Sequence, residues 1–134
     1  MEGDASITLV GELAYDPRQL VQPDASSVTK IQVRTRPRYL DRSDGRWKDG
    51  ESTTWHVTAF GRLAEHIAES CQRGTRVMVQ GTVSRRTYEQ AGVQKEVVEV
   101  IADEVGISLK WKPARTVLMD RRPAAPDDDP WVTG

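Results

Sequence analysis

The sequence predicts an all-β fold carrying one helix. Alternating, β-branched segments recur between residues 7 and 109, and Gly- and Asp-rich turn signals separate them. Only one stretch, residues 61–73, repeats its apolar side chains at helical spacing. The 134 residues suffice for one domain with a core that needs neither disulfide nor metal.

Residues 7–13 (ITLVGEL) alternate and form a first strand, in which Gly11 marks a bulge or the close approach of another backbone. Asp16-Pro17 ends it. A second strand runs over residues 28–38. Val28, Lys30, Gln32, Arg34, Arg36 and Arg38 share one parity, while Thr29, Ile31, Val33 and Thr35 share the other. One face is therefore polar and basic, and the opposite face suits a core. Pro37 has no N–H for a ladder, so the strand must bulge, end or lie at an edge there. Residues 41–52 (DRSDGRWKDGES) hold two Asp/Gly turn signals and form an extended hairpin tip bearing Trp47. The third strand covers 53–60.

In the helix at 61–73, Leu63, Ala64, Ile67, Ala68 and Cys71 form the apolar stripe, and Gly74 supplies a stop. Two strands follow at 75–89 and 95–109, joined by a turn at Gln90-Ala91-Gly92. The order strand, strand, strand, helix, strand, strand is that of an OB-fold, a five-stranded Greek-key barrel with one helix between strands three and four. The domain is expected to occupy 1–112. Residues 113–134, rich in Pro, Arg and Asp, are expected to be a disordered tail ending in an acidic Pro-Trp motif.

A formal net charge of −1 conceals segregation. From residue 30 to residue 48 there are seven Lys/Arg against two acids, a local charge of +5. Acids collect elsewhere, notably at Asp127, Asp128 and Asp129. One cysteine, Cys71, excludes an intrachain disulfide and a Cys-based zinc site, and is compatible with a reducing cytosol. No run of 18 apolar residues is present to span a membrane, and the opening Met1-Glu2-Gly3-Asp4 is unlike a secretory signal.

Catalysis finds no support. His56 lies in a strand and His66 in the helix, and they do not form a His-Glu-x-x-His pair. Cys71 belongs to an apolar stripe, where an inert buried thiol is expected. There is no phosphate-binding glycine loop, and Asp103 and Glu104 fit a solvated turn. No metal or cofactor site is expected.

What the residues do suggest is binding of unpaired nucleic acid, which needs cations for phosphates and aromatic faces for bases. Tyr39, Trp47, Phe60 and Tyr88 all sit beside basic residues: Arg38-Tyr39, Arg46-Trp47-Lys48, Phe60-Gly61-Arg62 and Arg85-Arg86-Thr87-Tyr88. The basic face of the second strand adds Arg34, Arg36 and Arg38 as phosphate contacts. Trp55 shares parity with Val57 and Ala59, which suits the core as well as stacking. Trp111 suits closure of the barrel's end.

Four segments in order resemble bacterial single-stranded DNA-binding proteins. These are ITLVGEL with Asp16-Pro17, FGRLAE at 60–65, RGTRVMVQG at 73–81, and ADEVGISLKW at 102–111, which is similar to actinobacterial and phage members. The resemblance covers roughly residues 5–112 and implies non-catalytic binding and protection of single-stranded DNA in replication, recombination or repair. Tyr39, Phe60 and Tyr88 would stack on bases, and Arg62, Arg73, Arg85 and Arg86 would contact phosphate. The family's strand-three aromatic position holds Thr54 here, with Trp55 one residue late. Either the strand bulges and Trp55 still stacks, or Trp55 is structural. Asp127, Asp128, Asp129, Pro130 and Trp131 resemble the family's acidic tail, which docks replication and repair proteins. Val132, Thr133 and Gly134 follow the aromatic here, a departure from a tip that ends on it. A homotetramer and a cytoplasmic, nucleoid-associated location are further implications. The rival reading is an OB-fold that binds RNA or serves as a protein-interaction adaptor.

Overall fold

The computed structural model describes residues 5–116, so Asp127, Asp128, Asp129, Pro130 and Trp131 lie outside it, as does most of the expected tail. The first strand, β1 (Ser6–Leu13), buries Leu9, Gly11 and Leu13 and exposes Thr8, Val10 and Glu12. This is the alternation its sequence predicts. A short strand that the sequence reading missed, β2 (Arg18–Val21), pairs with β3 (Ser27–Thr35). Along β3 the expected two faces separate: Thr29, Ile31 and Val33 are buried, while Lys30, Gln32 and Arg34 are partly exposed.

The second predicted strand does not run on to Arg38. It stops at Thr35, and the chain restarts past Pro37 as β4 (Arg38–Asp41), which pairs with β5 (Arg46–Asp49) in a separate two-stranded sheet. A proline that cannot donate to the ladder forces this break. β6 (Thr53–Phe60) then returns along the whole of β3 in unbroken register from Thr35↔Thr53 to Val28↔Phe60.

Gly61, at φ 68°, swings the chain from extended Phe60 into α1 (Gly61–Ser70). That left-handed conformation favours glycine, because an L side chain there crowds its own residue's carbonyl, although the space around Gly61 is open. The helix buries Ala64 and Ile67, and the hydroxyl of buried Thr29 donates to the Ala64 carbonyl oxygen at 2.7 Å. It ends three residues earlier than the spacing predicts. Cys71 turns extended at φ −115° while its N–H still bonds to Ile67, so Gly74 lies beyond the helix rather than capping it. The Gly74 N–H bonds instead to the Leu13 carbonyl, tying the segment after the helix to the end of β1.

The last two strands, β7 (Arg76–Gln90) and β8 (Val93–Ile107), form a long hairpin. It turns at Ala91 (φ 53°) and Gly92 (φ 78°), matching the tight turn with two positive φ values that suits twisted hairpins. Hydrogen-bonded neighbours run β1-β7-β8-β6-β3, and β3 meets β1 again through Glu12↔Arg34 and Leu13↔Val33. The β6–β8 seam is equally short, a parallel contact at Val57↔Val100 and Thr58↔Ile101. This is the all-β OB-fold that the element order predicts. Its core is mostly β-branched: Ile31, Val33, Val57, Val77, Val79 and Val100, with Leu9, Leu13 and the helix's Ala64 and Ile67. Where β1 crosses β3, a Cβ on Gly11 would stand 2.2 Å from the Arg34 carbonyl oxygen, so the seam requires glycine.

Candidate nucleic-acid interface

Pleating decides which side chains reach the outside of the β3–β6 pair. Trp55, Val57 and Ala59 point with Ile31 and Val33 towards the core, so Thr54, His56, Thr58 and Phe60 share the opposite face with Lys30, Gln32 and Arg34. On that face lies a groove of about 470 Å³, walled by Lys30 and His56 from the sheet, Tyr15 and Arg18 from the loop and strand after β1, and Arg86 from the hairpin. Phe60 continues the row of His56 and Thr58 at the strand's end and is 52% exposed. Being exposed at the very start of the helix, it offers a ring face to a ligand and contributes little to the core.

The hairpin supplies the facing wall. Residues along each of its strands alternate sides, so Arg86 and Tyr88 share one face with Val97 and Glu99, while Arg85 projects from the other. Arg86 reaches the groove; Arg85 instead pairs with Glu96, Nε to Oε1 at 2.6 Å. At the groove floor the Thr58 hydroxyl donates to Glu99 Oε2 at 2.7 Å, and Arg86 Nε stands 3.7 Å from Glu99 Oε1. Glu99 is buried, and this hydroxyl and guanidinium are its partners.

The remaining candidates lie apart from that groove. Tyr39 and Trp47 stand on the small β4–β5 sheet, on opposite faces because Tyr39 pairs with Lys48 and Leu40 with Trp47. Trp47 is 62% exposed, as a hairpin tip requires. The tip is braced by Asp41, which accepts from Lys48 Nζ and from the hydroxyl and N–H of Ser43. Those bonds, led by Lys48, hold the Asp41 carboxyl below its ordinary range, while Asp41 and then Asp44, 3.1 Å away, raise the Lys48 ammonium above its own. Arg38 pairs with Asp49 across the same sheet at 3.5 Å. Arg34 and Arg36 line a smaller hollow near the β1–β3 seam, and Arg34 stands 4.0 Å from Glu12. Arg62 is exposed on the first helical turn. Arg73 lies past the helix, its N–H bonded to Asp16 Oδ1 at 2.8 Å.

Trp55 resolves the ambiguity its sequence position created. No bulge intervenes, and the indole is half-buried against the core, with Nε1 donating to the Thr35 hydroxyl at 3.0 Å. Tyr15, Arg18 and His56 were not selected from the sequence. Tyr15 had a usable signal, an aromatic just before an Asp-Pro break; Arg18 and His56 had none beyond their charge or ring. Among the described residues no three His, Cys, Asp or Glu side chains cluster to hold a metal, and no helix is long and apolar enough to cross a membrane. Cys71 is buried, which pushes its thiol pKa up and away from nucleophilic character.

The surface is thus an OB-fold groove with cations and Tyr15 on its walls, and with Phe60 and Tyr88 exposed on the strand faces that lead to it. Residues 4–108 match the Single-strand binding protein family. Over 147 aligned positions the chain is 37% identical to the Single-stranded DNA-binding protein of Mycolicibacterium smegmatis, covering 98% of this chain and 89% of that one. It is 38% identical over 146 positions to the protein of the same name from Mycobacterium tuberculosis, with the same coverage of each, 98% and 89%. Its fold superposes on the crystal structure of the small single-stranded DNA-binding protein from Streptomyces coelicolor with a TM-score of 0.67, at 26% identity, over 80% of this chain and 96% of that chain. With the family match spanning most of its length and relatives above one-third identity along nearly all of it, the chain belongs to the single-strand binding protein family.

Proposed function

We propose that this protein binds and protects single-stranded DNA, with little sequence preference and without chemistry on it, in replication, recombination or repair. One observation carries the reading: Phe60 and Tyr88 stand exposed on the faces that lead into a groove walled by Lys30, Arg18 and Arg86. Rings stack on any base and cations follow the backbone, so a groove of this kind needs no base-specific hydrogen bonds. The names of the relatives support the choice of DNA. Titration with oligo-dT is expected to quench Trp emission, with affinity falling steeply as salt rises. Matched oligo-U serves as the control. Tighter binding of oligo-U, or no quenching at low salt, would sink the reading.

The working form in this reading is a homotetramer in the cytoplasm. β1 pairs with β3 only at Glu12 and Leu13, which leaves the edge from Ser6 to Val10 without a second neighbour among the described residues. Open edges invite pairing with another copy. Beside that edge Val10 and Met78 sit opposite each other, exposed, on the outer face of the sheet. Light scattering should give a mass four times that of the 15.0 kDa chain; a monomer mass would overturn this part. Docking of replication and repair proteins is assigned to Asp127, Asp128, Asp129, Pro130 and Trp131, and deletion of residues 127–134 should abolish it while leaving oligo-dT binding intact.

A further inference from the structure

One carboxylate oxygen at the floor of the groove accepts no hydrogen bond. Glu99 is only 9% exposed, and it lines the groove of about 470 Å³ from below. Its Oε2 accepts from the Thr58 hydroxyl at 2.7 Å. Arg86 Nε stands 3.7 Å from its Oε1, an ion-pair distance beyond hydrogen-bonding reach. No buried side-chain polar atom among the described residues lacks a hydrogen-bond partner, so Oε1 is not sealed in and opens to the groove.

The fold does not need a charge there. Securing the short β6–β8 seam through Thr58 takes one acceptor oxygen, which an amide would supply without the cost of burying an anion. A carboxylate at this depth also repels phosphate, whereas the cations that attract it, Arg18, Lys30 and Arg86, stand on the walls. A strand seated in the groove therefore keeps its phosphates along the walls and lowers a base towards the floor. Tyr15, 60% exposed on one wall, gives that base a ring to lie against. None of the groove's lining residues belongs to the Ser6–Val10 edge or to the face carrying Val10 and Met78, so association of copies there leaves the floor open.

The base that fits must bring an N–H. Thymine offers the acceptor O4, which would set oxygen against oxygen, while cytosine offers the donor N4–H₂ in the same place. When a phosphate draws Arg86 to the wall, an amino hydrogen takes its place beside Oε1. We propose that Glu99 reads a base: its Oε1 accepts a hydrogen bond from the exocyclic amino group of an unpaired base, so that one position in the groove favours cytosine over thymine. The other positions, held by stacking alone, keep the site tolerant as a whole.

This rests on the function proposed above. Oligo-dC and oligo-dT of about 8 nucleotides, short enough for one groove, are titrated against the unaltered protein and against Glu99→Gln. In the variant the amide oxygen keeps the Thr58 bond and the amide N–H₂ faces the groove. The same oligonucleotides meet both proteins, so their own stacking cancels in the comparison. The ratio of Kd for oligo-dT to Kd for oligo-dC is expected to fall by about tenfold in Glu99→Gln, the value of one hydrogen bond to a charged group. An unchanged ratio overturns the proposal, whether both affinities rise, because Glu99 only competes with phosphate for Arg86, or both fall, because it only shapes the groove. A second measurement needs no variant. Replacing the cytosines by 2-pyrimidinone, which carries hydrogen in place of the amino group, should weaken binding to the unaltered protein by a similar factor, and equal affinity also overturns the proposal. Failure of the unaltered protein to bind either oligonucleotide removes the underlying function instead.

Discussion

Phe60 and Trp55 lie five residues apart on β6 and face opposite ways, and the whole use of the strand follows from that. Phe60 offers its ring outward at the groove's end, so Phe60→Ala should cost the value of one base stack, about 1–3 kcal/mol or roughly 5- to 150-fold in Kd. Far-ultraviolet circular dichroism should stay unchanged. Trp55 packs on the core and spends its indole N–H on Thr35. Trp55→Ala should therefore lower stability by about 3 kcal/mol in urea melts, with oligo-dT affinity of the folded protein preserved. A large affinity loss with normal stability would reverse these roles. Both assignments depend on parity that the sequence displays. What the sequence withheld was whether β6 bulges, because a one-residue slip exchanges the faces and nothing local forbids it. The same rule separates Arg85 from Arg86. Their adjacency suggests a joint phosphate contact, yet neighbours on a strand point apart. Arg86 faces the groove and Arg85 is taken up by Glu96.

Among the elements, the β4–β5 hairpin stands by itself, and its brace titrates. The Asp41 carboxyl is held below its ordinary value of 3.8, first by Lys48 and then by Ser43. A group whose folded pKa is depressed stabilises above the unfolded pKa and loses that contribution as pH falls through the folded value. The hairpin should therefore loosen only in acid, below about pH 4. Trp emission should register it, with the change absent in Trp47→Phe and already present at neutral pH in Asp41→Asn. Loss of the signal from the whole molecule at once would mean that the hairpin does not open independently. β3 was legible because one of its faces must be buried, which enforces a strict alternation. β2 was not: of Arg18–Val21 only Leu20 is even partly buried, so pairing with β3 alone makes it a strand. The helix end escaped as well. Cys71 keeps the apolar stripe going past the point where its backbone is already extended.

Taken as a whole, the molecule distributes its cations over two faces joined by β3, and the salt dependence of binding should reveal which cations count. For an oligonucleotide short enough to fill only the groove, Arg86→Ala should flatten log Kd against log salt by about 0.7, the value of one phosphate on a single strand. Arg85→Ala should leave that slope alone. Equal effects from both would place the DNA astride the hairpin rather than on one side of it. The order of elements, the basic strand and the ring at Phe60 were all readable in advance. The groove was not, since Tyr15 with Arg18, Lys30, His56 and Arg86 come from four separate stretches of chain and meet only through the tertiary fold.

Five cations of these surfaces already have company in the free protein: Arg34 with Glu12, Arg38 with Asp49, Lys48 with Asp41, Arg85 with Glu96 and Arg86 with Glu99. A strand that docks there must displace a carboxylate for each such phosphate it seats, trading one anion for another. At those paired sites charge yields a smaller net gain than at Arg18 and Lys30, unpaired among the described residues, and the unpaired bases supply the rest. A polyanion with no accessible bases, such as heparin or an intact duplex, meets the same carboxylates without that compensation. Heparin or an intact duplex is therefore expected to displace bound oligo-dT poorly in a competition titration.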